Sequence, residues 1–365
     1  MFSADDQRFM AQALRLAERG LLTTTPNPRV GCVIVAAGAI AGEGWHHRAG
    51  GPHAEVDALA SAGPRCRGAS AYVTLEPCSH FGRTPPCVDA LVQAGITRVV
   101  AAMMDPNPLV AGKGFAALKA AGIEVASGLM ESEARALNIG YVSRMTLGRP
   151  WVRLKIAASL DGKTALKNGV SKWITSAEAR QDAHKWRARS CAILTGIGTI
   201  LADDPQMNVR AIETSRQPAK VVIDNRLEIP LHAKILDQGE TLIATVAQHS
   251  ERIARLRERG IQVIVLPGTN AKVDLQALMR ELGKRQVNEI LVEAGNNLNG
   301  ALLQAGLVDE IVLYLAPLLL GDQARGLFAI PELQQLGQAY RLKMQELCVI
   351  GSDIRITARV EAHSE

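Results

Sequence analysis

Apolar residues along this chain switch between a helical period and short strand-like runs, and that alternation predicts an α/β protein. Between Ser3 and Arg19 the positions Phe9, Met10, Ala13, Leu14, Leu16 and Ala17 fall at helical spacing, with Ser3 placed to cap the start and Gly20 to stop it. Residues 30–35 and 40–45 read as a hairpin turning near Ala37-Gly38, and a helix follows from about 53 to 63. Residues 71–75 form a buried strand that leads into Glu76-Pro77-Cys78. Pro85 and Pro86 suit the first turn of a helix that carries Cys87 and continues through Val88, Leu91 and Val92 to Gly95. Two more strand–helix units run from 98–103 into 116–121 and from 123 into 132–144. The pattern breaks from Thr146 to Pro150, which places two domains at residues 1–146 and 151–365. In the second, strands at 152–158, 221–224, 242–246, 263–266, 290–293 and 311–315 alternate with helices at 177–189, 250–259, 275–284 and 298–305, and a strand at 349–360 closes the chain. Strands separated by helices imply a mostly parallel sheet with an antiparallel last strand.

Composition narrows this only a little. A chain of 365 residues, 47% of them hydrophobic, buries a full core without staples. The six cysteines, at 32, 66, 78, 87, 191 and 348, show no framework spacing, so disulfides are not expected. Cys66, between Arg65 and Arg67, reads as an exposed loop thiol, and Cys32 as a small buried hydrophobe. The cleanest apolar run, 311–320, is interrupted by Pro317 and too short to span a bilayer, and Asp5 and Asp6 argue against a leader; a cytoplasmic protein with no membrane partner is expected. Net charge is +5, but residues 1–146 hold 13 Lys/Arg against 12 Asp/Glu and the remainder 28 against 24. Neither half carries the basic excess of a nucleic-acid binder.

The chemistry concentrates at His53-Ala54-Glu55, Pro77-Cys78 and Cys87. A His-x-Glu helix start with a later Pro-Cys and Cys is the pattern of zinc-dependent amine hydrolysis, though eight residues rather than two separate the cysteines here. His53, Cys78 and Cys87 supply three ligands, leaving a fourth position open to water. Glu55 would take a proton from that water and return it to the ring nitrogen and the departing ammonia. The competing reading is a structural zinc closed by His80, Cys66 or His46. Two helix starts facing the site would favour thiolates and lower both cysteine pKa values. Asn27, between Pro26 and Pro28, is either a donor to a substrate carbonyl or an Asx-turn residue. His46 and His47, read alone, suit the surface.

At Thr74-Leu-Glu-Pro-Cys-Ser-His80, Gly82-Arg-Thr-Pro-Pro-Cys87 and Asp105-Pro-Asn-Pro-Leu-Val-Ala-Gly112 the first half resembles the deaminase half of the bifunctional riboflavin-biosynthesis deaminase/reductase family. Lys155-Ile-Ala-Ala-Ser-Leu-Asp-Gly-Lys163, Ser171-Lys-Trp-Ile-Thr-Ser176 and Leu201-Ala-Asp-Asp-Pro205 resemble its reductase motifs. The resemblance implies a cytidine-deaminase-like α/β/α domain followed by a dihydrofolate-reductase-like α/β domain. It implies hydrolytic loss of the 2-amino group of 2,5-diamino-6-ribosylamino-4(3H)-pyrimidinone 5′-phosphate, then NADPH reduction of the ribosyl group of the product to ribityl. Zinc would sit on His53, Cys78 and Cys87, with Glu55 as the proton shuttle and Asn27 and His46 against the substrate.

In the reductase half, the resemblance assigns NADPH contacts to Ala157, Trp173, Thr199, Asp203, Asn225 and the turn Gly295, Asn296, Asn297, Leu298, Asn299, Gly300 and Ala301. It assigns substrate contacts to Ser171, Arg187, Met207, Arg210 and Glu293. From the residues alone, the turn at 295–300 is either a phosphate cradle at a helix start or an ordinary strand–helix turn. Arg187 and Arg210 suit a 5′-phosphate, Glu293 a polar role at the ribose, and Lys155 and Asp161 either shape the pocket or are strand-end charges. A small phosphorylated pyrimidine is the expected partner, and a homo-oligomer, dimer or tetramer, is expected. The alternative is a zinc-dependent tRNA or single-stranded DNA base deaminase whose second half only positions the substrate.

Overall fold

The computed structural model describes residues 2–81 and 85–361. Gly82, Arg83 and Thr84 of the cysteine-containing motif lie outside the described residues. The chain divides into two compact units, Met1–Gly148 and Arg149–Glu365.

In the first unit α1 (Ala4–Glu18) precedes the hairpin β1 (Gly31–Ala36) and β2 (Ala39–Trp45), then α2 (Ala54–Ala62), β3 (Ser70–Val73), α3 (Cys87–Gln93), β4 (Arg98–Ala101), α4 (Lys113–Ala120), β5 (Glu124–Ser127), α5 (Glu131–Leu137) and α6 (Ile139–Leu147). Ser3 and Asp6 form a capping box at the start of α1, satisfying amides that would otherwise lack partners. The sheet order is β2-β1-β3-β4-β5, with β1 antiparallel to both neighbours and β3, β4 and β5 parallel. One sheet face packs Cys32, Ile34 and Val73 on Ala54, Ala58, Leu91 and Leu118. The other packs Val33, Val35, Tyr72 and Val100 on Phe9, Met10 and Ala13 of α1. The result is a helix–sheet–helix sandwich.

Two glycines set how closely helices approach this sheet. A Cβ on Gly31 would stand 2.0 Å from Ala13 O, and one on Gly44 2.3 Å from Ala58 N. The helix expected over 132–144 is interrupted. Asn138 is buried, its Oδ1 accepts from Arg29 N (2.7 Å) and its Nδ2 donates to Arg29 O (2.9 Å), and these bonds stand where α5 gives way to α6.

The second unit contains β6 (Trp151–Ser159), β7 (Lys163–Ala165), α7 (Ala177–Arg189), β8 (Ala192–Gly196), α8 (Ile197–Asp203), β9 (Ala219–Ile223), β10 (Thr241–Thr245), α9 (Ser250–Glu258), β11 (Gln262–Val265), α10 (Leu275–Lys284), β12 (Glu289–Val292), α11 (Asn296–Gln304), β13 (Glu310–Ala316), β14 (Arg325–Gly326), β15 (Leu342–Ile350) and β16 (Asp353–Val360). Nine strands form one sheet, β11-β10-β9-β8-β12-β6-β13-β16-β15. It is parallel from β11 through β13 and antiparallel at β16 and β15. The single closing strand expected at 349–360 is instead the hairpin β15–β16, turning at Gly351, whose φ is +61°. Leu154, Ile156, Leu194, Val292, Leu278 and Leu302 fill one side of the sheet; Ile193, Val222, Ile243 and Leu256 fill the other.

Candidate active sites

His53 caps α2 and Cys87 is the first residue of α3, while Cys78 lies in the coil beyond β3, which ends earlier than its apolar run suggests. The close packing of α2 on Gly42 and Gly44 of β2 fixes where His53 and Glu55 stand. His53 Nδ1 is 3.1 Å from Cys87 Sγ and 3.5 Å from Cys78 Sγ, and the ligand atoms of all three lie within 4.8 Å of one another. A tetrahedral zinc with its usual bond lengths has ligand–ligand edges of about 3.5 to 3.8 Å, so this donor set fits the ion. Cys66 and His80 are not in the cluster. Cys66 is buried, its thiol donating to Leu59 O at 3.5 Å, which corrects its reading as an exposed loop thiol: the turn after α2 folds it back under the helix.

Of the two ligand thiols, Cys78 is held well below the usual thiol range, chiefly by the hydrogen bond from Cys87 and, against the opposing effect of burial, by His53. Cys87 moves the other way, raised by its bond to Cys78, by burial and by Glu55. Two adjacent thiols keep one proton between them. Glu55, 4% exposed, is pushed up to about 7, first by burial and then by the Cys78 charge.

His46 is buried, not on the surface. Its Nδ1 faces Pro52 O at 2.9 Å and its Nε2 faces Asn27 Nδ2 at 3.0 Å. Pro52 O only accepts and Asn27 Nδ2 only donates, so the ring is neutral with its proton on Nδ1. Burial, and then His53 beside it, lowers its pKa, in agreement. Glu76, assigned no role from sequence, is buried and accepts from Asp105 N, Gly112 N, Gly114 N and Phe115 N at 2.9 to 3.2 Å, tying segment 105–115 to the Cys78 loop.

The second unit holds a cleft of about 1640 Å³, larger than the ~300–1,000 Å³ of ordinary ligand pockets. Ala157, Ser171, Trp173, Arg187, Thr199, Asp203, Met207, Arg210, Asn225 and Glu293 line it, as do Gly295, Asn296, Asn297, Leu298 and Ala301. Asn299 and Gly300 turn inward instead. Asn299 Nδ2 donates to Leu327 O (3.3 Å), and a Cβ on Gly300 would stand 2.1 Å from Ala329 O. Arg187 grips Glu293 with both arms of its fork, Nε to Oε1 at 2.6 Å and Nη2 to Oε2 at 2.9 Å, and gives Nη1 to Asn208 O. Lys155 Nζ stands 4.0 Å from Glu293 Oε2. Asp161 does not line the cleft; it accepts from Leu320 N and Gly321 N. His184, one helical turn before Arg187, lines the cleft and was given no role by the sequence.

The fold and these sites define a two-part protein in which a zinc-deaminase-type unit precedes an open α/β unit with a ligand cleft. Residues 3–103 match the family model of the cytidine and deoxycytidylate deaminase zinc-binding region, and residues 150–356 match that of the RibD C-terminal domain. The chain is 51% identical over 362 residues to the riboflavin biosynthesis protein RibD of Escherichia coli (strain K12), covering 96% of this chain and 98% of the relative. It is 48% identical to that of Haemophilus influenzae, covering 98% of each. Acinetobacter baumannii RibD superposes with a TM-score of 0.91 at 46% identity over 98% of this chain and 99% of that one. The diaminohydroxyphosphoribosylaminopyrimidine deaminase/5-amino-6-(5-phosphoribosylamino)uracil reductase of Thermotoga maritima gives 0.86 at 31% identity, with the same coverage. The chain belongs to the RibD family of riboflavin biosynthesis proteins.

Proposed function

We propose that this chain performs both reactions named for its Thermotoga maritima relative, hydrolytic deamination of the phosphorylated diaminopyrimidine in the first unit and reduction of the phosphoribosylamino group in the second. The observation that carries the reading is the buried carboxylate of Glu55 beside three soft donors within 4.8 Å of one another. His53, Cys78 and Cys87 hold zinc, which supplies a Lewis acid that makes water nucleophilic near neutral pH. Glu55 takes one proton from the attacking water and passes it to the ring nitrogen, then takes the remaining hydroxyl proton and passes it to the amino group, which leaves as ammonia. Asn27 Nδ2 gives one hydrogen to His46 and keeps the second for a substrate carbonyl.

In the cleft, NADPH supplies the hydride. Ala157, Trp173, Thr199, Asp203, Asn225 and Gly295, Asn296, Asn297, Leu298 and Ala301 of the turn hold the cofactor, with Asn299 and Gly300 supporting that turn from behind, while Ser171, Arg187, Met207, Arg210 and Glu293 hold the substrate; the cleft is large enough for both molecules. Because Arg187 is committed to Glu293, the exposed Arg210 is the freer partner for the 5′-phosphate. The domains are those of residues 1–146 and 151–365. One ammonia released per NADPH consumed from the diamino substrate is the expected result; ammonia release from tRNA or single-stranded DNA with no NADPH consumption would overturn it.

The chain further self-associates through β15. Leu342, Met344, Leu347 and Val349 are 45 to 70% exposed, and their partners Val360, Ala358, Ile356 and Ile354 continue the apolar sheet face of the core. Light scattering should give a dimer or larger, and Leu347→Asp a smaller species. Six free cysteines suit a reducing compartment, so the cytoplasm is the proposed address.

A further inference from the structure

His184 sits on α7 with its ring buried to 7% exposure at the cleft wall. Its Nδ1 accepts from the backbone N–H of Arg210 at 3.3 Å, which places the ring proton of the neutral form on Nε2. Among the described residues nothing accepts from that Nε2–H, and the ring borders the cleft. The groups that face it are Arg187 from its own helix, Lys155 from β6, Arg210 from the segment after α8, and Glu293 beyond β12. Three cations against one carboxylate leave an excess of positive charge that calls for an anion. Burial first, and then Arg187 and Arg210, push the His184 pKa down to about 4, so near neutral pH the ring is an uncharged, directed donor.

We propose that His184 is a substrate-binding and positioning residue of the second unit: it anchors the Arg210 segment through Nδ1 and donates Nε2–H to the 5′-phosphate of the substrate. This rests on the reductase reading above. Arg187 is spent on Glu293 and Arg210 is exposed, so a third, rigid donor is what fixes the phosphate relative to the ribose. A neutral N–H serves better than another cation, since it adds direction without repelling the three already present.

The test uses the full-length, zinc-loaded chain and two substrates, 5-amino-6-(5-phosphoribosylamino)uracil and its dephosphorylated form. His184→Asn keeps an acceptor near the Nδ1 position and removes the Nε2 donor. It should raise KM for the phosphorylated substrate about tenfold, leave kcat within twofold, and leave KM for both the dephosphorylated substrate and NADPH unchanged. His184→Gln, whose amide reaches the Nε2 position, should restore most of the loss. An unchanged KM, an equal loss on both substrates, or a loss confined to NADPH would overturn the proposal. A wild-type melting temperature of the second unit, together with the unchanged KM for NADPH, reports that each variant is folded. A wild-type chain that consumes no NADPH with either substrate would instead overturn the reductase reading and the proposal with it.

Discussion

Each unit places one glutamate at its site, Glu55 buried and Glu293 largely so, and the two are driven in opposite directions. Glu55 has burial and the Cys78 thiolate both acting against its charge, and it rises to about 7. Glu293 is also pushed up by burial, but the paired Arg187 and the nearby Lys155 outweigh that and hold it at about 2. The same side chain thus becomes a proton carrier in one place and a fixed charge in the other. A carboxyl that gains and loses its proton near neutral pH can shuttle; one locked to a guanidinium can only orient what surrounds it.

The sharpest break between the units comes from the metal. Chelation should take ammonia release to background while NADPH oxidation with supplied intermediate stays within about twofold, because no residue of the cleft belongs to the donor triangle. A parallel loss of both would show that the second unit depends on the first. Glu55→Gln comes next. It should lower deamination by about 10² to 10⁴ while bound zinc, measured by elemental analysis, and reduction are retained. Residual deamination above a tenth of wild type would remove Glu55 from the proton path.

Glu293→Ala acts on the other member of the comparison and through stability first. It strips Arg187 and Lys155 of their carboxylate in a largely buried setting, a change that costs on the order of 3 to 5 kcal/mol. The second unit should melt several degrees lower while ammonia release below that temperature is unaffected. Gly44→Ala is the matching change in the first unit. Its Cβ would meet Ala58 N at 2.3 Å, so α2 must shift, at about 1 to 3 kcal/mol. Zinc retention should fall with it; unchanged retention would mean that His53 is not positioned through this packing.

The donor triangle was legible in the sequence because metal chemistry admits few residue types, and His53, Glu55, Cys78 and Cys87 announce it by identity and local order. Their environment was not. That His46 is buried follows from Pro52 and Asn27 closing around it, and that Glu76 anchors a loop follows from four backbone amides, which leave no mark in side-chain identity. The cleft was legible mainly through family motifs. Arg187 and Glu293 are 106 positions apart, and no periodicity links them. His184 carries only its helical spacing from Arg187. At β15 the register slips between Met344 and Glu346, so the alternation that marks a strand is lost halfway along.

The last effect to look for is the pH dependence of the second unit, where two groups lose stability in the same direction but over different pH windows. His184 has a folded pKa near 4 against an ordinary ~6.5, so below the ordinary value the unfolded chain takes up a proton that the folded chain refuses. Stability contributed by this neutral ring is complete above about pH 7 and is lost as pH falls toward 4. Glu293, lowered from about 4.5 to about 2, contributes stability that is complete above its unfolded value and is lost between there and 2. That loss is on the order of 3 kcal/mol at most. The melting temperature of the second unit should therefore fall in two stages on acidification, and Glu293→Gln should flatten the lower stage relative to wild type. A lower stage of unchanged slope in that variant would mean that Glu293 is not held ionised by Arg187, and the contrast with Glu55 would lose its physical basis.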